Sequence, residues 1–156
     1  MPGRTEHAVE RLGVLRVIDV GRVANSRLAP VYCECDVGLF PNRAEGGTNQ
    51  VAMECIACGV PTILSANTGH CDLLHAAGVI PLHDQRRVPG QWSEWGESNI
   101  DEIIAALERV YAAWRDGRRE PVGDGVFELT WEKTADDLFG AAKQFAHTSS
   151  SNSEIC

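Results

Sequence analysis

Through the first half of the chain, apolar runs of strand length alternate with helical patterns, and nearly every change of period falls on a glycine or a proline. The β-branched run Val14 to Val20 ends at Gly21 and predicts a strand. Ser26 is placed to cap a helix through about Cys35, with Pro30 near its first turn. Val37 to Phe40 predicts a short buried strand stopped by Pro41. A polar, Gly-rich loop follows from Asn42 to Asn49, and Asn49 stands as N-cap of a helix over Gln50 to Cys58 that leaves through Gly59-Val60-Pro61. Thr62 to Ser65 is the next strand. Asn67-Thr68-Gly69-His70 turns into a helix to about Ala77, Gly78 ends it, and Val79 to Leu82 is a further strand.

Strand, helix, strand, helix, strand with short connections predicts an open α/β fold, a parallel sheet covered on both faces. After His83 the pattern changes. Asp84 to Ser98 is polar, with Pro and Gly, and predicts a loop. Ile100, Ile103, Ile104, Leu107, Val110, Tyr111 and Trp114 then recur at helical spacing, the clearest amphipathic helix in the chain. Gly117 to Gly125 predicts a loop, and a last helix from about Thr130 carries Trp131, Ala135, Leu138, Phe139, Ala142 and Phe145 on one face. Residues 1–146 are expected to form one domain, and 147–156 a Ser-rich tail without structure.

Composition narrows the function classes. With 156 residues, 44% hydrophobic and 23% charged, the chain suits one packed domain. The net charge of −8 and the absence of a Lys/Arg-rich face argue against nucleic acid as a partner. No apolar run approaches a membrane span and the N-terminus has no h-region, so the expected location is cytoplasmic. The six cysteines are read as reduced core thiols. Cys55 and Cys58 form a C-x-x-C inside a helix, without the second pair that a zinc site would need.

Open α/β sheets bind ligands at the carboxyl ends of their strands. The loop after Phe40 has that position and holds Arg43, Glu45, Gly46, Gly47, Thr48 and Asn49. Two glycines allow close approach of the backbone, and the following helix N-terminus offers free N–H groups to an anion such as a pyrophosphate. Glu54 lies among Val51, Ala52, Met53, Cys55, Ile56 and Ala57, surroundings that bury a carboxylate, which then needs a hydrogen-bonding partner: a polar ligand, or solvent along one exposed strip. His70 faces the cleft or caps a turn, Arg86 and Arg87 are solvated or meet phosphate, and Trp92 and Trp95 cover a groove or pack beneath the loop.

The segment PNRAEGGTNQVAMECIACGVPTILSANTGHCDLL, Pro41 to Leu74, resembles the donor-binding segment of retaining GT-B glycosyltransferases of the family-four type, the glycosyl transferases group 1. The upstream VYCECDVGLFP and the later TWEKTADDLF extend the resemblance over Val14 to Phe145. It implies a Rossmann-like half of a GT-B fold that ends in two amphipathic helices. It also implies hexosyl transfer from a nucleotide diphosphate sugar with retention, and needs neither cofactor nor metal. By the same resemblance Glu45 is the catalytic-site Glu that contacts the donor sugar. Gly46, Gly47, Thr48 and Asn49 hold sugar and diphosphate, and Glu54 holds the ribose.

Two departures stand beside the resemblance. Eight residues separate Glu45 from Glu54 where the family has seven, so the Gly-Gly loop carries one extra. The family's Arg and Lys pair for the leaving diphosphate has no counterpart, and neither has the acceptor-holding N-terminal domain. The expectation is a donor-binding half, incomplete at its N-terminal side, that needs a further domain for transfer to an unidentified acceptor. The alternatives are another GT-B enzyme, such as a nucleotide-sugar epimerase, and a non-catalytic fragment or interaction module.

Overall fold

Thr62-Ile63-Leu64-Ser65 has no alternation of apolar and polar positions at its centre, and such a run suits a strand covered on both faces. The computed structural model, which describes residues 8–12, 15–90, 94–118 and 130–151, places it so. In chain order the elements are β1 (Ala8–Leu12), β2 (Leu15–Asp19), α1 (Leu28–Tyr32), β3 (Gly38–Phe40), α2 (Gln50–Ala57), β4 (Thr62–Ser65), β5 (Val79–Leu82), β6 (Gln85–Arg87), β7 (Gly96–Ser98), α3 (Ile100–Arg115) and α4 (Trp131–Ser151). β4 is the middle strand of a parallel sheet ordered β3-β4-β5, with Ile63 opposite Leu39 on one side and Ile80 on the other. All four β4 residues are buried.

Successive β4 side chains point to opposite faces, and a different helix covers each. On one face Leu64 packs with Ala52 and Ile56 of α2 and with Leu73 and Ala76. On the other, Ile63, Ile80 and Leu82 meet Ala106 of α3, flanked by Ile103, Leu107 and Val110. Ile56, Ile63, Leu64, Leu73 and Leu82 are fully buried. Each such side chain contributes about 1.5–3 kcal/mol of apolar burial, so these few residues fix the relation of sheet to helices. The chain is thus an α/β fold with a parallel sheet between helices, consistent with a Rossmann-like half of a larger fold.

The termini of α2 follow their expected chemistry. Asn49 Oδ1 accepts the Ala52 N–H at 3.1 Å, and Gly59 takes φ +78° just past the end of the helix.

Elsewhere the structure departs from the sequence expectation. The strand in Val14 to Val20 does not join the parallel sheet: β2 pairs antiparallel with β1, which has no mark in the sequence pattern. Neighbours in sequence pair at little entropic cost, whereas β-branched composition specifies a strand without specifying its partner. Val17, Ile18 and Val20 remain about half exposed. Ser26 caps nothing; a 3-10 turn over Asn25–Arg27 leads into α1, and Ala24 stands at its N-cap. The expected helix to Ala77 is a 3-10 turn over Thr68–Leu73.

Residues 85–87 and 96–98, expected as loop, pair as the antiparallel hairpin β6–β7. Gln85 holds it through Nε2, which donates to the Leu82 carbonyl at 2.9 Å and to Ser98 Oγ at 2.8 Å. Polar ties of this kind leave no hydrophobic period to read.

The cysteines also differ from their expected place in the core. Cys55 is buried and Cys58 half-buried, but Cys33, Cys35 and Cys71 are exposed, because they stand on turns rather than on core-facing helix positions. α4 continues through Ser151, beyond residue 146 where the ordered domain was expected to end. Trp92 lies outside the described residues.

Candidate functional site

The loop from Pro41 to Asn49 leaves the carboxyl end of β3 and is held from below by the turn that leaves the carboxyl end of β4. Thr68 Oγ1 accepts the Glu45 N–H at 2.7 Å, and the Gly69 N–H reaches the Glu45 carbonyl at 3.2 Å. Thr68 adopts φ +42°, a left-handed conformation that strains a β-branched residue and marks the turn as over-determined by its surroundings. Gly69 is sterically required: a Cβ there would stand 1.8 Å from the Gly47 carbonyl oxygen.

Asn67 completes the clamp. Its buried Nδ2 faces the carbonyls of Asn42 at 3.0 Å, Arg43 at 3.2 Å and Gly96 at 3.2 Å, and Gln85 Oε1 at 3.0 Å. Two amide hydrogens shared among four acceptors tie the loop, the turn and the β6–β7 hairpin into one unit.

Above this platform opens a groove of about 600 Å³, lined by Arg43, Glu45, Gly46 and Thr68 on one side and by Glu94 and Trp95 on the other. Gly46 and Gly47 are exposed, Glu45 and Thr48 are half-buried and Asn49 is buried at the base. Glu45 Oε2 accepts from Asn42 Nδ2 at 3.3 Å, and Thr48 Oγ1 donates to Asp72 Oδ2 at 3.3 Å. Arg43 is already engaged: it and Arg86 both pair with Glu97, whose carboxyl they hold below the usual carboxylate range, Arg86 more strongly. The charged side chains that line the groove are thus the Arg43 guanidinium, shared with Glu97, and the Glu45 and Glu94 carboxylates. Arg87 is exposed on β6.

His70 is fully buried, neither a ligand contact on the groove wall nor a solvent-facing cap. Its ring bridges the Ser65 carbonyl (Nδ1, 3.1 Å) and Asn49 Nδ2 (Nε2, 3.0 Å). Burial lowers its pKa, against the opposing pull of the Ser65 carbonyl and the Glu45 charge.

Glu54 lies on the side of α2 that meets α1, outside the lining of the groove. The partner its half-buried carboxylate needs is Tyr32, whose hydroxyl donates to Oε2 at 2.7 Å. Burial, then the hydrogen bond and charge of Glu54, raise the Tyr32 pKa to about 12, so the phenol stays protonated and keeps donating. The structure thus gathers Glu45, Gly46, Gly47, Thr48 and Asn49 around one loop and sets Glu54 apart, along the same helix. It adds Asn67, Thr68, Gly69, Glu94 and Trp95, which sequence reasoning left unassigned or undecided. Their only sequence signal is an Asn-Thr-Gly turn directly after a strand's carboxyl end.

A second cavity, of about 420 Å³, lies at the amino ends of the strands, where Cys33, Cys58 and Pro61 face Arg109, Trp114 and Arg118. Among the described residues no group of three His, Cys, Asp or Glu side chains could hold a metal ion.

The family model described as glycosyl transferases group 1 matches residues 2–111. Over 121 residues the chain is 30% identical to a D-inositol 3-phosphate glycosyltransferase of Stackebrandtia nassauensis, an alignment that covers 76% of this chain and 24% of that protein. The chain spans about a quarter of the length of the curated relative it matches. No solved structure matches it.

Proposed function

The chain belongs to the group 1 glycosyl transferases, and from that premise we propose that it is the donor-binding part of a glycosyltransferase that moves a hexosyl group from a nucleotide diphosphate sugar with retention of configuration. The observation that carries the proposal is the Glu45-Gly46-Gly47 loop, which follows the carboxyl end of β3 in a parallel sheet, borders the groove through Glu45 and Gly46, and runs directly into the Asn49-capped N-terminus of α2. There a diphosphate would meet N–H groups already oriented by the fold, the arrangement that stabilises a leaving anion most effectively.

In this assignment Glu45 orients the sugar hydroxyls, and Gly46, Gly47, Thr48 and Asn49 hold sugar and diphosphate through the backbone. Glu54 accepts from the ribose hydroxyls with the oxygen that Tyr32 leaves open. With Arg43 committed to Glu97, backbone donors carry the diphosphate charge within this chain, and full transfer calls for a further domain that supplies cations and acceptor.

Calorimetric titration with UDP- and GDP-sugars tests the assignment, with Glu54→Ala in parallel. One of the two sugar classes should bind the wild type, and Glu54→Ala should bind it about tenfold more weakly, as expected for losing hydrogen bonds to a charged acceptor. Equal affinities in the two proteins would remove Glu54 from the ribose.

A further inference from the structure

The Asn49 side chain has one orientation that satisfies its neighbours. Its Oδ1 accepts the Ala52 N–H at 3.1 Å, which turns Nδ2 toward Nε2 of His70 at 3.0 Å. An amide NH₂ can only donate, so Nε2 must accept and the ring proton must sit on Nδ1. There it meets the Ser65 carbonyl, which can only accept, at 3.1 Å. Asn49 is 7% exposed, and Ser65 and His70 are fully buried, so solvent does not substitute for any of these partners. One proton on one named nitrogen makes every bond in the series, from the end of β4 through the ring and the amide to the first turn of α2.

That series has a direction and an end point. It starts at the last residue of β4, passes the turn that clamps Glu45 and Gly47, and finishes at the helix whose Gln50 and Val51 N–H groups lack intrahelical acceptors. A rotation of the Asn49 amide would place an NH₂ against the Ala52 N–H and let the first turn of α2 fray.

We infer that His70 is a positioning residue of the donor site, which in its neutral, Nδ1-protonated form holds Asn49 as the cap of α2 and so aims the first-turn N–H groups at the diphosphate. The inference rests on the donor-binding assignment above and requires no contact between His70 and ligand. A buried histidine that merely filled space would need no particular tautomer and would tolerate an apolar side chain of similar size.

The first test is nitrogen NMR of the histidine ring in the wild-type chain at pH 7. The expected spectrum shows a protonated Nδ1 and an Nε2 lone pair for His70; the opposite tautomer overturns the inference without any substitution. The second compares UDP and GDP binding by calorimetry in His70→Gln and His70→Leu. Glutamine can supply both an acceptor for Asn49 and a donor for Ser65, and should keep affinity within about threefold of the wild type. Leucine should weaken binding about fivefold or more, the size of a lost helix cap, and speed hydrogen exchange at the Ala52 amide. Should His70→Leu fail to fold, Asn49→Asp serves instead. It keeps the cap but faces Nε2 with an acceptor, so His70 should then be protonated on both nitrogens near neutral pH. An unchanged ring in Asn49→Asp, or wild-type affinity with a normally folded His70→Leu, overturns the inference and leaves the donor assignment standing. Failure of the wild type to bind either nucleotide overturns the donor assignment, and with it the purpose inferred for His70.

Discussion

At the scale of single residues, the site depends on atoms that touch no ligand. Gly69 lies so close to the Gly47 carbonyl that a methyl group cannot fit without moving the loop or the turn, and the turn is already tied by Asn67 and strained at Thr68. Gly69→Ala should therefore destabilise the chain by about 1–3 kcal/mol, the usual range for overpacking, in a urea titration followed by circular dichroism. It should also abolish nucleotide binding, because the displaced segment is the one that bears Gly46 and Gly47. An alanine variant with wild-type stability would show that the loop yields freely.

His70 adds a pH dependence whose sign follows from its lowered pKa. The unfolded ring titrates near its ordinary value of 6.5, while burial keeps the folded ring neutral to lower pH. Between those two values the unfolded chain holds more protons, so stability is fully present above 6.5 and is lost as the pH falls through the folded value. The Ser65 carbonyl and Glu45, the charged group whose field the ring feels, both narrow this window without reversing it. Urea titrations at pH 7.5, 6.5 and 5.5 should show stability falling toward acid in the wild type and falling less in His70→Gln, whose side chain does not titrate. Parallel pH profiles for the two proteins would mean that other groups set the acid limb.

At the scale of elements, what the sequence makes legible depends on whether an element's partner is local. β4 and its neighbours were readable because Ile63 and Leu64 point to opposite faces and both are apolar, and because the run is short, β-branched and set off by Gly59 and Pro61, as suits a strand with cover on both sides. α2 was readable through its ends, where Asn49 and Gly59 have jobs that few residues can do. The hairpin β6–β7 was not, since Gln85, Arg86 and Glu97 form it through polar contacts without period. The clamp made by Asn67, Thr68 and Gly69 was equally hidden. Its partners, Glu45 and Gly47, are more than twenty residues away, and a contact between backbone atoms has no side-chain code. Glu54 shows the converse: its apolar neighbours correctly required a partner, but sequence spacing could not say that Tyr32 supplies one.

At the scale of the whole molecule, the apolar surface is larger than the core uses. The stripe expected on α3 divides. Ile103, Leu107 and Val110 pack against the sheet, while Ile100 is 70%, Tyr111 60% and Trp114 62% exposed. The contact centres instead on Ala106 and Ala113, whose small side chains let the helix approach closely and turn the bulky residues aside. Tyr111 and Trp114 stack on each other at 5.8 Å rather than on the core. On α4, Trp131, Leu138 and Phe139 are exposed as well, at 88%, 69% and 66%. Apolar faces of this extent on a small chain favour association, and the net charge of −8 opposes it only through a screened, long-range repulsion. Sedimentation velocity should therefore find association that grows with protein concentration and with salt, since salt removes the repulsion and leaves the apolar contact. Replacing Trp114 and Trp131 together by Glu should shift the chain toward monomer at every salt concentration. Because both side chains are mostly in solvent, the same double variant should unfold within about 0.5 kcal/mol of the wild type, as surface substitutions generally do. Association that persists unchanged in the variant would place the contact elsewhere. A large loss of stability would mean instead that α3 and α4 bury these indoles against the chain itself.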